Sequence, residues 1–474
     1  MRGPIVSGWG WVVAIVSALA QGVCLAQGLS PSRGEVPATT AQPQESQPEK
    51  SYSVPALELV GFDFLLNRYN HRFSGVRDYD VSFSSIRRNL RSGWGVDDDE
   101  FKINQLGHPY QGSMYHGFAR SAGLNYWESA AYTFAGSIGW EIAGEKTKPS
   151  INDQIASGVG GTFLGESMFR MASLVLEHGD GVPKPMREIV AAVISPSTGF
   201  NRLAYGKRFD SIFASRNPAY YGRLNLGLMG TAQNEQGLST LLKRNEAQAD
   251  FAMEYGLPGK SGYNYTRPFD YFSFQITGST ANKVENIMTR GLLFGRDYAG
   301  GNRYRGIWGL YGSYDYISPQ TFRISSTALS LGTTGQWRAA DKVAVQGSAM
   351  LGMGYAAVGT VNSSAEKDYH YGAAPQALLA LRVIHGDRAS LDMTAREYFV
   401  SGVGNPGGGH DNIARVDLGL TMRVHNLHAV SVKYLWNRRD ATSAPLGNRT
   451  QTRGTVGIFY TLLGHDGFGA VDWR

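Results

Sequence analysis

From Pro218 to Leu463 apolar and polar side chains take turns along the chain, and that alternation admits few folds. In "KVAVQGSAMLGMGYAAV", Val343, Val345, Ala349, Leu351, Met353 and Tyr355 fall on one face of a strand, and Lys342, Gln346 and Ser348 on the other. "ARVDLGLTMRVH" repeats the split, with Ala414, Val416, Leu418, Leu420, Met422 and Val424 against Arg415, Asp417, Gly419, Thr421, Arg423 and His425. About twelve such segments occur, each of roughly 10 to 14 residues, the length a tilted strand needs to cross a bilayer. A soluble sandwich also alternates, but its strands usually run about 5 or 6 residues. Aromatic residues gather near segment ends, among them Tyr221, Tyr271, Tyr314, Tyr316, Tyr371, Tyr398, Tyr434, Trp436 and Tyr460, where membrane-interface girdles would place them. The expected fold is mainly β with an N-terminal helical domain: an antiparallel transmembrane β-barrel of about twelve strands, with the helices as a plug or periplasmic cap.

The N-terminus fits that location. Residues 1–26 join Arg2, the apolar "WGWVVAIVSALA" and the small-residue site Cys24-Leu25-Ala26, the plan of a cleaved export signal. Cys24 is the only cysteine in 474 residues, so the mature chain would hold no thiol for disulfides, nucleophilic catalysis or zinc. Residues 27–52, rich in Pro, Ser, Gln and Glu, are expected to be a disordered linker. Residues 53–217 form the helical domain, 218–463 the barrel and 464–474 a C-terminal tail in which Trp473 is penultimate. The expected location is the bacterial outer membrane, with outer-membrane lipids and the barrel assembly and insertion machinery as partners. A net charge of +6 without a lysine or arginine run argues against nucleic acid. The oligomeric state stays open.

If the apolar face meets lipid, the other face lines the lumen. It would carry Arg223, Asp250, Glu254, Arg305, Asp315, Arg323, Arg382, Asp392, Arg396, Arg415, Asp417, Arg423, Lys433 and Arg453. Basic groups exceed acidic ones, which favours anionic solutes or lipids, with Arg415, Asp417 and Arg423 as candidate binding residues. The plainer alternative is that these charges only satisfy one another as rungs of ion pairs.

The helical half carries its own polar signal. In "HPYQGSMYHGFARSAG", His108, Gly112, His116 and Arg120 recur every fourth residue and share a helix face. Asn125 with Glu128, and Ser150 with Asp153, have the spacing of helix-capping pairs. Ser157, Gly161 and Gly165 form a small-residue row that lets another backbone approach. "VDDDEF", Val96 to Phe101, reads as a solvated turn and not a calcium loop. From Ile103 to Glu166, the elements HPY-x-G, AR-x-x-G, WE, PS-x-x-D and G-x-x-x-GE together resemble the bacterial family known as domain of unknown function 3943. That resemblance implies an exported envelope protein with a barrel following the helices, and no reaction.

Enzymatic activity is therefore open on the sequence. If the helices pack face to face, His108, Arg120, Glu128, Glu141, Asp153 and Glu166 would converge, with Arg120 pairing Glu128 or Glu141. An envelope lipid or lipopolysaccharide hydrolase would use His108, a carboxylate and Ser129 or Ser137. No G-x-S-x-G signature accompanies these serines. His108 and His116 lack the spacing of a metal-binding pair, so no metal or cofactor is expected. Tyr110, Tyr115 and Arg120 are the candidate binding residues of this half. A purely structural envelope protein is the third reading.

Overall fold

The computed structural model describes residues 50–97, 99–178, 182–235, 242–319, 321–360, 368–402, 408–443, 447–464 and 467–471. The export signal, Cys24, the linker up to residue 49 and Trp473 lie outside the described residues. Among the described residues two compact units emerge: 50–97 with 110–215, and 99–109 with 216–471. The sequence places residues 103–109 in the helical domain, whereas they cluster with the barrel strands.

Twelve antiparallel strands close into a barrel in chain order, the last pairing with the first. They are β1 (Tyr220–Glu235), β2 (Leu242–Tyr255), β3 (Phe272–Ser279), β4 (Asn286–Gly300), β5 (Tyr304–Ile317) and β6 (Phe322–Ala340). The second half comprises β7 (Val343–Thr360), β8 (Tyr369–His385), β9 (Ala389–Ser401), β10 (His410–His425), β11 (His428–Ser443) and β12 (Gly447–Leu463). Closure removes the unpaired edges that an open sheet would present. The register keeps like faces together: Arg415 lies opposite Arg396 and Asn437, and Asn437 opposite Arg453, so one polar row crosses four strands. On the other face Leu351 lies opposite Leu331 and Ala377. Leu228 and Leu351 are 72% and 71% exposed, whereas Arg415 and Arg453 are 2% and 1% exposed. The wall is apolar outside and charged inside, the reverse of a protein dissolved in water.

The lumen is filled in three layers. At the end farther from both barrel termini, Ile317, Phe322, Ile324, Val358, Val400 and Ile413 form an apolar core. Charged side chains occupy the middle. At the end where Tyr220 starts β1 and Leu463 ends β12, the tail folds back so that Phe468 and Val471 pack with Tyr221, Ile384 and Leu463. Gln336 fixes this tail, its side chain donating to the Gly469 carbonyl at 2.8 Å and accepting from the Val471 amide at 3.0 Å. The turn needs Gly467 and Gly469, whose φ values of 82° and 88° favour glycine. Within the barrel unit, then, residues 467–471 fill this end of the lumen.

Residues 99–107 pack on the wall's outer surface. Phe101 contacts the rings of Tyr316 at 5.9 Å and Tyr369 at 5.3 Å. It ends a stretch expected to be a solvated turn, yet it is fully buried. A π-helical turn, Ile103–Gly107, follows, where Asn104 donates to Tyr369 at 3.0 Å, Gln105 donates to Tyr371 at 3.0 Å, and Tyr314 donates to the Gln105 carbonyl at 2.6 Å. Tyr314 and Tyr316 flank the lumen-facing Asp315, so they point outward, and this segment covers them. Three girdle assignments thus change: Tyr314, Tyr316 and Tyr371 sit under protein. Tyr221, Tyr271 and Tyr398 point into the lumen instead, while Tyr434 and Tyr460 are exposed outward as a girdle requires. Arg323 is also corrected. It alternates with the lumen residues Phe322 and Ile324 and faces outward, its guanidinium 5.0 Å from the Phe101 ring.

The helical unit contains α1 (Ser53–Phe73), α2 (Phe83–Asn89), α3 (His108–Ser121), α4 (Tyr126–Ala143), α5 (Gly161–His178), α6 (Lys184–Ile194) and α7 (Pro196–Tyr205), α3 starting in the segment that clusters with the barrel. Asn125 and Glu128 form the expected reciprocal cap of α4, and the Ser150 hydroxyl accepts from the Asp153 amide at 3.2 Å. The helix that Ser150 caps is interrupted: a turn at Ile151–Asp153 opens into a π-helical stretch, Gln154–Gly160, before α5 begins. That widening brings Ser157 against α3, and a Cβ on Gly112 would lie 2.0 Å from the Ser157 carbonyl oxygen. Lys50, Ser51 and Tyr52, assigned to the linker by composition, are held: Lys50 and Tyr52 donate to Glu128, and the Ser51 amide donates to the Ala122 carbonyl.

Candidate functional site

The middle layer of the lumen encloses a cavity of about 170 Å³. A single water needs only about 10–15 Å³ of such space, so the cavity has room for several waters or one small solute. Six cationic side chains line it, Arg223, Arg290, Arg382, Arg396, Arg415 and Lys433, against four carboxylates, Asp250, Glu254, Asp392 and Asp417. Asp392 is shared by Arg223 at 2.9 Å and Arg382 at 2.6 Å. Asp417 is shared by Arg396 at 3.3 Å and Arg415 at 3.0 Å. Lys433 pairs with Asp250, and Arg290 reaches Asp315 at 3.3 Å.

The pairing is incomplete, and although Asp315 Oδ1 is a buried acceptor without a partner among the described residues, the unpartnered charged atoms that belong to the cavity lining are donors. Arg223 Nε, Arg382 Nη1 and Arg396 Nε are buried N–H groups without a hydrogen-bond partner. An unsatisfied buried donor costs about 1–3 kcal/mol, more when charged, so the cavity presents donors in want of an acceptor.

Of the candidate binding residues read from the strands, Arg415 and Asp417 line this cavity. Arg423 lies elsewhere, with its guanidinium 5.4 Å from the ring of Phe468 in the tail. Arg290 was missed. It shares its face with Asn286 and Met288, a parity that "NIMTRGLL" does show, but Thr289 between them is polar too and blurs the alternation.

The helical candidates divide into separate groups. Glu166 is completely buried and saturated: Arg120 Nε donates at 2.7 Å, Arg170 Nε at 2.8 Å, and the His116 ring lies at 3.0 Å. Burial opposes its ionisation, but Arg120, the His116 bond and Arg170 hold its carboxyl well below the usual range. Burial lowers the His116 pKa, against the pull of Glu166. Phe169 and Phe213 flank the Arg120 guanidinium at 4.5 and 4.8 Å. Arg120 thus pairs with Glu166, and not with Glu128 or Glu141. Glu128 caps α4 at the surface.

Glu141 and Asp153 do come together, with carboxylate oxygens within 4.8 Å. Glu141 accepts from the Ser150 amide at 2.8 Å, and its other oxygen is buried without a partner. Burial, reinforced by Asp153 and Glu145, pushes Glu141 up to about 10, and burial pushes Asp153 to about 7. A raised carboxyl pKa favours the neutral form in the fold. Its stabilisation is complete below the unfolded value near 4.5 and is lost as pH rises through 7 towards 10. Thermal unfolding of the helical unit should therefore fall steadily from pH 5 to pH 9, and Glu141→Gln should flatten that slope; a slope unchanged in the variant would contradict the assignment.

Ser137 accepts from the Gln154 amide at 2.8 Å, and His116 faces Thr133 at 3.4 Å and Glu166. His108 opens α3 as a buried residue and falls with the barrel segment. Tyr115 is buried and donates to Asp63, whose pKa burial raises to about 7 against the Tyr115 and Gln111 bonds. Tyr110 is partly exposed on α3.

Curated proteins give no match to the chain. Among solved structures it is similar to the NanC porin, at 7% identity over 49% of this chain and 98% of that one, TM-score 0.23. The translocator domain of autotransporter NalP from Neisseria meningitidis is similar at 15% identity, over 50% and 88% of the two chains, TM-score 0.22. An anion-selective porin from Comamonas acidovorans is similar at 8% identity, over 51% and 98%, TM-score 0.21. Residues 93–197 match the model of the family described as Domain of unknown function (DUF3943), the family whose motifs run from Ile103 to Glu166.

Proposed function

We propose that the protein is an outer-membrane barrel whose closed lumen binds a small anionic group between Arg223, Arg382 and Arg396. The observation that carries this reading is the set of three buried arginine N–H groups without acceptors around one cavity. Binding is favoured over free passage, because an apolar core fills one end of the lumen and the C-terminal tail fills the other. The hydrolase reading finds less support, since Glu166 is saturated by three partners, the Ser137 hydroxyl is engaged by an amide, and the Ser129 hydroxyl is buried with no base among the described residues within hydrogen-bond reach.

Arg223 and Arg396 are the residues to change, because each shares its carboxylate with a second arginine that remains. Calorimetry of the detergent-solubilised protein with inorganic phosphate at constant ionic strength should show saturable binding. Arg223→Gln with Arg396→Gln should weaken it at least tenfold, since one charged hydrogen bond contributes about 1.5–3 kcal/mol and each 1.4 kcal/mol is a factor of ten. Equal affinity in the double variant, or heats that never saturate, would refute the site.

A further inference from the structure

Two helices of the helical unit each have the composition of a membrane-surface element. On α1, Leu57, Phe64, Leu65, Tyr69 and Phe73 are all exposed. At 100° per residue they fall on one side of the helix, with Arg68 and Arg72 between them. On α2, Phe83 is 93% exposed, and Arg87 and Arg91 stand exposed beside the outward Leu90. Single exposed apolar residues are ordinary, but a row of large ones along a helix marks an interaction surface.

The charges between them indicate what covers these faces. Residues 53–91 contain six arginines: Arg68, Arg72, Arg77, Arg87, Arg88 and Arg91. The carboxylates of the same stretch are mostly engaged. Glu58 is buried, Asp63 is bonded by Tyr115, and Asp80 pairs with His71 at 2.9 Å. A protein partner would need a matching row of carboxylates and a groove. A bilayer with anionic headgroups supplies negative charge beside hydrocarbon everywhere, and arginine stems can lie along apolar side chains while their heads reach phosphate. We propose that α1 and α2 bind the surface of an anionic lipid bilayer, with Phe64, Leu65, Phe73 and Phe83 entering the headgroup boundary and Arg68, Arg72, Arg87 and Arg91 meeting lipid phosphates. This surface is separate from the lumen and stands or falls independently of the phosphate site.

The test uses the full chain with Cys24→Ser, inserted into vesicles, and an environment-sensitive fluorophore on Leu65→Cys. Doxyl-labelled phospholipid serves as the quencher. Vesicles containing about a third phosphatidylglycerol should quench the probe strongly, and pure phosphatidylcholine vesicles several-fold less. Raising salt from about 50 mM to 500 mM should reverse much of the difference. Arg68→Gln, Arg72→Gln and Arg87→Gln together should reduce quenching to the phosphatidylcholine level; these side chains are exposed, so circular dichroism should be unchanged. Quenching that is absent in both vesicle types, or equal in both, overturns the proposal. A probe signal that depends on the ratio of protein to lipid and not on lipid charge also overturns it, and assigns the face to a second copy of the chain. Phosphate calorimetry on the same triple variant should match the parent, which keeps the two readings distinguishable.

Discussion

Replacing Leu351 with arginine should destabilise the folded barrel in a bilayer by about 2–4 kcal/mol, the cost of a cation on the lipid face near the membrane midplane. Leu351 sits midway along β7, is largely exposed, and faces away from the charged lumen. In water such a substitution is worth no more than about 0.5 kcal/mol either way, because an exposed leucine makes few contacts to lose. Environment alone therefore sets the size of the effect. Val424→Arg supplies the internal control: Val424 is as exposed as Leu351 but lies beside the turn between β10 and β11, where the cost falls to about 0–1 kcal/mol. Reversible urea unfolding from vesicles measures both. Equal, near-zero effects would mean that the apolar rows do not meet lipid.

Glu166→Ala should unfold or loosen the helical unit by about 3–5 kcal/mol, the usual result of removing one partner from a buried ion pair. The loss would come less from the vanished attraction than from Arg120 and Arg170, which would remain buried without their counter-charge. Glu128 marks the contrast. It is a surface cap, so Glu128→Ala should cost about 1 kcal/mol. Tryptophan fluorescence reports on this unit through Trp127 and Trp140 during denaturant titration. A Glu166→Ala protein as stable as the parent would show that the two guanidinium groups find other acceptors.

What the sequence made legible follows from where polarity distinguishes two faces. In the middle of β10 and β11 one face is polar or charged and the other apolar, so the strands, their length and their orientation can be read directly. Near Arg323 that contrast disappears. Phe322 and Ile324 are apolar although they point into the lumen, because that end of the lumen is a side-chain core, and a lone arginine among them looks like a lumen charge. End-of-strand tyrosines are ambiguous for a related reason. An aromatic ring with a hydroxyl suits a lipid interface, a lumen hydrogen bond such as Tyr398 with Asp315, or a packing contact such as Tyr314 with Gln105.

In the helical half, the stripe of His116 and Arg120 was visible as a helix face. Its partner was not, since Glu166 lies 50 and 46 residues away and only tertiary packing selects it from four carboxylates. The tail's position in the lumen left no periodic trace at all. It rests on two glycines and on Gln336, and nothing in a short loop of mixed composition announces where it docks.

Collision measurements with spin labels along β7 test the orientation of the wall most directly. With Cys24→Ser as background, single labels at Ser348, Met350, Leu351 and Met353 sample both faces of one strand in lipid vesicles. The outward pair, Leu351 and Met353, should collide freely with lipid-dissolved oxygen and hardly with a water-soluble nickel chelate, while Ser348 and Met350 should be shielded from oxygen. Nickel collisions at Leu351 and Met353 as frequent as those of a label free in water would contradict a lipid-facing apolar wall.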